Sequence, residues 1–244
     1  MKPEAFEARN RDLTAQMAQD ERLRRLTHEW VVATSPYEYS YHFTWLGRPV
    51  IQFPQDILAV QEILWSVRPE LVIETGIARG GSLILSASIL ELLGGSGRVL
   101  GIDVDIRAHN RSAIEEHPMA RRIDMLQGSS VDEDVAAEVR RRAAGKSPVV
   151  VFLDSNHTHE HVARELELYA PLVTQGSYLV VFDTIVEEMP DGAYADRPWG
   201  RGNNPSTAVA EFLKGNPRFL ADRAIDDKLL ITMARGGYLR CVGP

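Results

Sequence analysis

The sequence predicts an open, doubly wound α/β sheet, mostly parallel, with an N-terminal helical appendage. Two observations support this fold class. Short apolar runs alternate with amphipathic helical patterns five times after Pro69, which is typical of the strand–helix units that build a parallel sheet. The runs are aliphatic without interruption, as expected for strands that are buried on both faces.

The composition excludes several classes of protein. The chain has 244 residues, of which 44% are hydrophobic and 25% charged, and its formal net charge is −7. Its one cysteine, Cys241, permits neither an intrachain disulfide nor a cysteine zinc cluster. The acidic balance argues against nucleic-acid binding, and no apolar run reaches the roughly 18 residues that span a bilayer. Because the charged N-terminus also lacks a signal-peptide core, we expect a soluble, cytoplasmic protein.

Residues 1–56 are predicted to form an N-terminal segment that packs on a domain made of residues 57–244. Residues 1–35 carry an intermittent apolar stripe at helical spacing. Residues 37–56 instead concentrate large aromatic side chains, among them Tyr39, Trp45 and Phe53. We expect this aromatic segment to cover the ligand crevice or a subunit interface, with ordinary core packing as the alternative.

The domain itself is predicted to begin with a helix after Pro54. The predicted strands are Leu71–Thr75, Val99–Asp103, Ile123–Leu126, Val149–Asp154 and Tyr178–Asp183. The predicted helices are 81–93, 107–117, 131–144, 159–170 and 205–214. Near the C-terminus, Phe219–Ile225 and Leu229–Met233 are separated too closely for a helical crossover, which predicts an antiparallel pair. Gly236 and Gly237 are predicted to turn the chain into a last short strand.

The loop after the first strand is the first candidate binding element, because ligands of open α/β sheets bind outside the carboxyl ends of the strands. It runs Glu74-Thr75-Gly76-Ile77-Ala78-Arg79-Gly80-Gly81-Ser82. Its small residues let a ligand approach the backbone and the free N–H groups of the next helix. The spacing departs from G-x-G-x-x-G, the fingerprint of a dinucleotide site. A glycine turn that serves packing alone is the alternative.

Polar residues also follow the second and third strands. Asp103 directly ends the second strand and is predicted to accept the hydroxyl protons of a ribose, in preference to Asp105. Gly128 and Ser129 follow the third strand, where Ser129 is a candidate adenine contact. The next residue, Ser130, is predicted to cap the following helix in a capping box.

Two carboxylates, Asp154 and Asp183, end the fourth and fifth strands. Adjacent strand ends bring them together, and a bound divalent cation removes their mutual repulsion. Oxygen ligands of this kind suit Mg²⁺. His157 follows three residues after Asp154 and is a candidate general base, since imidazole titrates near neutrality. A metal held by His157 and His161 on one helix face is the alternative; His159 and His161 are otherwise expected at the surface.

Five stretches together resemble the cephalosporin hydroxylase / rhamnosyl O-methyltransferase family, over most of the length from Tyr37 to about Val242. They are FTWLGRPVIQFPQD (43–56), IETGIARGGSLI (73–84), LDSNHTHEHV (153–162), GSYLVVFDT (176–184) and DRPWGRGNNP (196–205). The resemblance implies a Rossmann-like class I methyltransferase sheet with an antiparallel last strand. It also implies an enzyme that uses S-adenosylmethionine and Mg²⁺.

The resemblance further implies roles for individual residues. The cofactor would be bound by Glu74, Gly76, Ala78, Arg79, Ser82, Asp103, Gly128, Ser129 and Asp154. The wider group is similar to catechol O-methyltransferases, whose metal-binding pattern carries over to Asp154, Asp183 and Thr184. His157 takes the position of the catalytic lysine. Thr184 stands where that group has asparagine, a stronger ligand, so Glu187 or a water is an alternative third ligand.

The stretch 196–205 is predicted to form a lid or substrate loop. It presents Arg197, Trp199 and Asn203 to the acceptor, and the Trp199 ring suits stacking on a sugar. The alternative is an ordered surface loop, capped at Asn204 before a helix that begins with Pro205.

The sequence thus predicts a methyltransferase that acts on a hydroxyl of a sugar or sugar-containing metabolite, in a homo-oligomer. Two alternatives remain, an oxygenase and a non-catalytic protein that binds S-adenosylmethionine. An iron oxygenase would need a facial triad on a β-barrel, and neither the order of residues nor the predicted fold agrees with that.

Overall fold

The computed structural model describes residues 2–244 and confirms the predicted α/β class. Its α-helices are α1 (Pro3–Gln19), α2 (Glu21–Thr34), α3 (Pro54–Val67), α4 (Gly81–Leu93), α5 (Ala108–Glu115), α6 (Glu133–Ala143), α7 (His159–Tyr169), α8 (Pro205–Gly215) and α9 (Arg223–Leu229). Its strands are β1 (Phe43–Trp45), β2 (Arg48–Val50), β3 (Leu71–Thr75), β4 (Arg98–Asp103), β5 (Ile123–Gln127), β6 (Val149–Leu153), β7 (Tyr178–Val181), β8 (Phe219–Ala221) and β9 (Tyr238–Cys241). Over residues 2–244, no helix is both long and apolar enough to cross a membrane.

The main sheet has the strand order β5-β4-β3-β6-β7-β9-β8. Strands β3 to β7 pair in parallel, whereas β9 is antiparallel to both of its neighbours. Thr75 lies opposite Leu153, which in turn lies opposite Val181. The residues that follow β3, β6 and β7 therefore meet at one edge, where the strand order reverses.

Two helical layers explain why the strands are apolar without interruption. Val72 packs into a core with α3 and α4, whereas its neighbour Ile73 packs into a second core with α6, α7 and α8. Successive side chains of a strand point to opposite faces. Both faces of β3 are therefore buried, as the uninterrupted run predicted.

The predicted antiparallel pairing of 219–225 with 229–233 is wrong. Residues Arg223–Leu229 form α9, which begins because the Asp222 side chain caps it by accepting a hydrogen bond from the Ala224 N–H. The partner of β8 is β9, which follows Gly236 and Gly237 as predicted and lies between β7 and β8.

The N-terminal segment is attached to the domain at several places. Helix α1 packs on α9, and the short antiparallel pair of β1 with β2 packs on α4. Trp45 donates a hydrogen bond from its indole Nε1 to the Ser88 hydroxyl at 2.9 Å. At the start of α4, Gly81 lies so close to the Pro49 carbonyl oxygen that a side chain there would collide with it.

Candidate active site

A cavity of about 460 Å³ opens at the carboxyl edge of β3, β6 and β7. Its wall combines the loop after β3, the ends of β6 and β7, the connection from β7 to α8, and parts of the N-terminal segment. The predicted site residues in this wall are Gly76, Ala78, Arg79, Ser82, Asp154, His157, Asp183, Arg197 and Trp199. The predicted residues outside this wall are Glu74, Asp103, Gly128, Ser129, Thr184 and Asn203.

Asp103 holds the loop after β3 in place. Its carboxylate accepts hydrogen bonds from the backbone N–H groups of Ile77 at 2.8 Å and Ala78 at 3.2 Å. It also accepts one from Asp105 at 2.9 Å. A carboxylate has about four acceptor sites, so Asp103 retains capacity for one further donor.

Two buried oxygen acceptors beside this loop have no partner among the described residues. One is Oε2 of Glu74, whose other oxygen accepts a hydrogen bond from the Ser82 hydroxyl. Burial raises the pKa of Glu74 to about 7, although the Ser82 bond opposes that rise. The other acceptor is Oε1 of Gln52, a cavity-wall residue that is only 3% exposed. Gln52 was not predicted from the sequence, because its place in the cavity wall depends on how the N-terminal segment folds back.

Asp154, His157 and Asp183 form the one group of potential metal ligands found over residues 2–244. We call these three residues the acidic cluster. Each offers a ligand atom within 4.8 Å of the other two. Burial and the nearby Asp183 carboxylate raise the pKa of Asp154 well above its usual range. Asp183 has a φ of 56°, in the left-handed region that is costly for a residue with a side chain. Strain of this kind is typical of functional positions.

Two residues considered as a third metal ligand are engaged elsewhere. Thr184 is buried, and its hydroxyl donates a hydrogen bond to the Met233 carbonyl at 3.3 Å. Glu187 accepts hydrogen bonds from the Gly202 N–H at 2.8 Å and from the Asn204 side chain. Glu187 therefore anchors the loop before α8 rather than joining the acidic cluster.

That loop covers the cluster. The Trp199 ring lies edge-on to the His157 ring, with centroids 4.8 Å apart, and the Arg197 guanidinium lies 5.5 Å from the Trp199 centroid. Asn203 accepts a hydrogen bond from the His159 N–H and donates one to the Pro198 carbonyl. Asn203 thus ties the loop to α7. The loop ends where Asn204 caps α8, as in the alternative of an ordered surface loop.

Residues of the aromatic segment 37–56 line the same cavity. Tyr39, Tyr41 and Phe53 line the wall, whereas Trp45 packs on α4. Burial and the nearby Asp183 raise the pKa of Tyr41. The same two causes, in the same order, raise the pKa of Tyr194 to about 12. Both phenols therefore stay protonated beside the acidic cluster and can donate hydrogen bonds.

Two expectations about the histidines and Ser130 are wrong. Helix α7 begins at His159, so His157 and His161 do not share a helix face. Ser130 does not cap α6, whose N-cap is Asp132. Instead the Ser130 hydroxyl lies 3.1 Å from Nε2 of His161, which is partly buried.

Comparisons of sequence agree with this architecture. The family model described as Rhamnosyl O-methyltransferase/CmcI matches residues 37–242. A rhamnosyl O-methyltransferase of Mycobacterium leprae (strain TN) is 30% identical over 216 residues, which are 87% of this chain and 87% of that protein. A rhamnosyl O-methyltransferase of Mycobacterium bovis (strain BCG / Pasteur 1173P2) is 32% identical over 201 residues, 80% of this chain and 77% of that one.

Comparisons of structure agree on the fold. A CmcI apo-structure aligns with a TM-score of 0.60 at 20% identity, over 84% of this chain and 78% of that chain. An O-methyltransferase from Bacillus cereus in complex with SAH aligns with a TM-score of 0.52 at 15% identity, over 80% and 81% of the two chains. At these identities the likeness concerns the fold alone.

Proposed function

The chain belongs to the rhamnosyl O-methyltransferase/CmcI family, and we propose that it methylates a hydroxyl of a sugar or sugar-containing metabolite with the help of a divalent metal. O-methyl transfer from S-adenosylmethionine follows from membership in that family. The proposal that a metal assists the transfer to a sugar hydroxyl rests on the cluster of Asp154, His157 and Asp183, which shares one cavity with the glycine loop.

The residues around the glycine loop fit the amino-acid end of S-adenosylmethionine. An α-ammonium group brings three N–H donors, and the loop region offers two buried acceptors without partners, on Glu74 and Gln52. Gly76, Ala78, Arg79 and Ser82 complete this end of the proposed pocket.

The other end of the proposed cofactor pocket would take the nucleoside. Asp103 retains an acceptor site for a ribose hydroxyl. Gly128 and Ser129 follow the neighbouring strand β5 and are proposed to face the adenine. Asp154 follows β6, which pairs with β3 on the side away from β4, and is the remaining proposed cofactor contact.

Asp154 and Asp183 are proposed to hold Mg²⁺. The pair fits a hard cation, because two partly buried carboxylates repel each other unless a positive charge lies between them. When bound, the cation would orient the acceptor hydroxyl and lower its pKa. Thr184 would contribute by holding the turn after Asp183 through its bond to Met233, in place of the ligand role that the sequence suggested.

His157 is proposed as the general base. Its Nε2 lies on the side of the acidic cluster, at 3.5 Å from the nearer Asp183 oxygen. The hydroxyl oxygen forms a bond to the methyl carbon as the carbon–sulfur bond breaks, which leaves S-adenosylhomocysteine. The hydroxyl proton passes to Nε2 of His157.

The acceptor is proposed to lie under the loop 196–205. Trp199 offers an aromatic face, Arg197 lies beside it, and Tyr41 and Tyr194 offer hydroxyl groups around the same cavity. These groups suit a sugar ring, which has apolar faces and many hydroxyls. The rhamnosyl acceptor in the names of the mycobacterial relatives supports the same class of acceptor.

The composition of the cluster does not favour the oxygenase alternative. A facial triad of an iron oxygenase has two histidines and one carboxylate, whereas the cluster has two carboxylates and one histidine. The division into residues 1–56 and residues 57–244 belongs to our proposal, with the first part acting as the cover of the cavity. The cytoplasmic location and the homo-oligomer stay predictions.

The proposal is tested by methyl transfer from S-adenosylmethionine to a panel of rhamnosides and other glycosides, with product detected by mass spectrometry. We expect a methylated glycoside with Mg²⁺ present, none after EDTA, and recovery after Mg²⁺ is restored. Methylation that is unchanged by EDTA would contradict the proposed role of the metal. Methylation of phenols without methylation of glycosides would contradict the proposed sugar acceptor.

A further inference from the structure

A second polar cluster begins at Ser155, a residue of the cavity wall, and extends behind that wall where β6 leads into α7. The Ser155 hydroxyl donates a hydrogen bond to Oε1 of Glu165 at 2.7 Å. His161 Nε2 lies 3.0 Å from the same hydroxyl and 3.1 Å from the Ser130 hydroxyl. We call these four residues, Ser130, Ser155, His161 and Glu165, the Ser155 cluster.

The Ser155 cluster is costly to bury. Glu165 is completely inaccessible to solvent, and its Oε2 has no partner among the described residues. Burial of a carboxylate is unfavourable unless hydrogen bonds compensate. The single proton of Ser155 goes to Glu165, so His161 donates its Nε2–H to Ser155. His161 Nε2 also lies 3.6 Å from Oε1 of Glu165.

Ser155 connects this cluster to the front of the wall. The preceding residue, Asp154, is a proposed metal ligand, and the peptide between them packs directly on Gly76 of the glycine loop. A β-carbon added to Gly76 would collide with the Asp154 carbonyl oxygen and come within 3.1 Å of the Ser155 α-carbon. The two strands stay bonded up to this point, since the Asp154 N–H donates to the Thr75 carbonyl at 3.0 Å. After Asp154 the chain leaves the sheet, and there the hydrogen bond from Ser155 to Glu165 holds it in place.

We propose that Ser155, His161 and Glu165 are positioning residues that hold the Asp154–Ser155 peptide against Gly76. They thereby set the distance between the metal-binding carboxylates and the cofactor loop. This inference rests on the proposed function, because it assigns the two sides of that contact to the cofactor and the metal. Glu165 is buried outside the cavity wall, so it acts on the cofactor only through Ser155.

The inference is tested by calorimetric titration of S-adenosylhomocysteine into the full-length wild type and three variants. Ser155→Ala removes the donor to Glu165, and Glu165→Ala removes the acceptor. Glu165→Gln keeps an oxygen for Ser155. We expect the dissociation constant to rise about tenfold in the first two, as the loss of one hydrogen bond allows, and to recover most of that loss in Glu165→Gln.

Ser177→Ala is the matched control. The buried Ser177 hydroxyl donates to the Val149 carbonyl at 2.6 Å, at the opposite end of β6. We expect this variant to lose thermal stability without a change in the dissociation constant. A purely structural cluster would also give lower thermal stability and an unchanged dissociation constant in Ser155→Ala and Glu165→Ala, which would overturn the inference. Should Glu165→Ala fail to fold, Ser155→Ala decides the outcome.

Failure of the proposed function gives a different result. If the wild type itself binds no S-adenosylhomocysteine, the proposed function and this inference both fall. If the wild type binds it and Ser155→Ala binds it equally well, the positioning role alone is wrong.

Discussion

Nε2 of His157 lies 3.5 Å from Oδ2 of Asp183, and both side chains are largely buried at the cavity wall. The position is close enough for His157 to take a proton from a hydroxyl held beside Asp183. It is also within the distance at which His157 would serve as a ligand itself. The two roles differ in what happens when the imidazole is removed.

His157→Ala is expected to keep the metal and lose turnover. Loss of a general base lowers kcat by about 10²–10⁴-fold, whereas Asp154 and Asp183 still hold the cation. Residual activity is expected to rise with pH, as hydroxide replaces the imidazole. The checks are kcat against pH and a Mn²⁺ titration of the variant. Loss of Mn²⁺ binding in His157→Ala would assign the histidine to the metal instead.

Gly76→Val is expected to abolish cofactor binding. Gly76 has a φ of +91°, and an added β-carbon would collide with the Asp154 carbonyl oxygen. The loop and the strand end must separate, which moves the proposed cofactor contacts. Gly192→Val is a control with the same change at a positive φ and no atom in the way. Equal cofactor affinity in Gly76→Val and the wild type would contradict the assigned pocket.

Cofactor affinity is expected to fall as the pH drops below about 7. Burial raises the pKa of Glu74 to about 7 in the free protein, so below that pH the ammonium group must displace a proton from the carboxyl. Affinity then falls by up to about tenfold per pH unit. Calorimetry from pH 5 to pH 7 measures it, with Glu74→Gln as the variant in which this slope disappears. An identical slope in Glu74→Gln would show that another group is responsible.

Asp56 is expected to make the protein less stable as the pH rises from about 4 to about 6. It is buried and accepts hydrogen bonds from Tyr238, Thr232 and the Met233 N–H. Burial raises the pKa of Asp56 from 3.8 to about 6, so between these values the folded state binds a proton that the unfolded state has lost. The contribution is fully present below the unfolded pKa and is lost through pH 6. It amounts to about 3 kcal/mol at 1.36 kcal/mol per pKa unit.

Urea unfolding at several pH values measures that contribution. Asp56→Asn lowers stability overall, because the amide cannot accept all three hydrogen bonds. Its free energy of unfolding should nevertheless depend less on pH between 4 and 6 than that of the wild type. The same dependence in both proteins would mean that Asp56 does not titrate in this range.

The sheet and the meeting of Asp154 with Asp183 were predictable from the sequence. Uninterrupted apolar runs mark strands buried on both faces, and parallel strands end at one edge, so residues after β6 and β7 had to converge. Residues 223–229 were harder, because their apolar pattern suits a short strand as well as a helix. The helix forms because Asp222 caps its first turn and because β9, not residues 229–233, pairs with β8.

Side chains whose partners come from distant parts of the chain were not predictable. Thr184 binds Met233, and His161 lies between Ser155 and Ser130, in each case because of packing that no local pattern records. Gln52 reaches the cavity only because the N-terminal segment folds back over α4. The spacing of residues along the sequence predicted where the strands end. The hydrogen-bond partners of the side chains around those ends depend on tertiary contacts.

The central claim is that the cavity beside Gly76 binds S-adenosylmethionine next to the metal-binding carboxylates. Calorimetric titration of the wild type with S-adenosylmethionine tests it most directly, since no acceptor needs to be known. We predict one cofactor per chain, with binding that persists in EDTA because the proposed contacts lie mainly on the loops after β3, β4 and β5. No binding of S-adenosylmethionine at millimolar concentration, with or without Mg²⁺, would contradict the account.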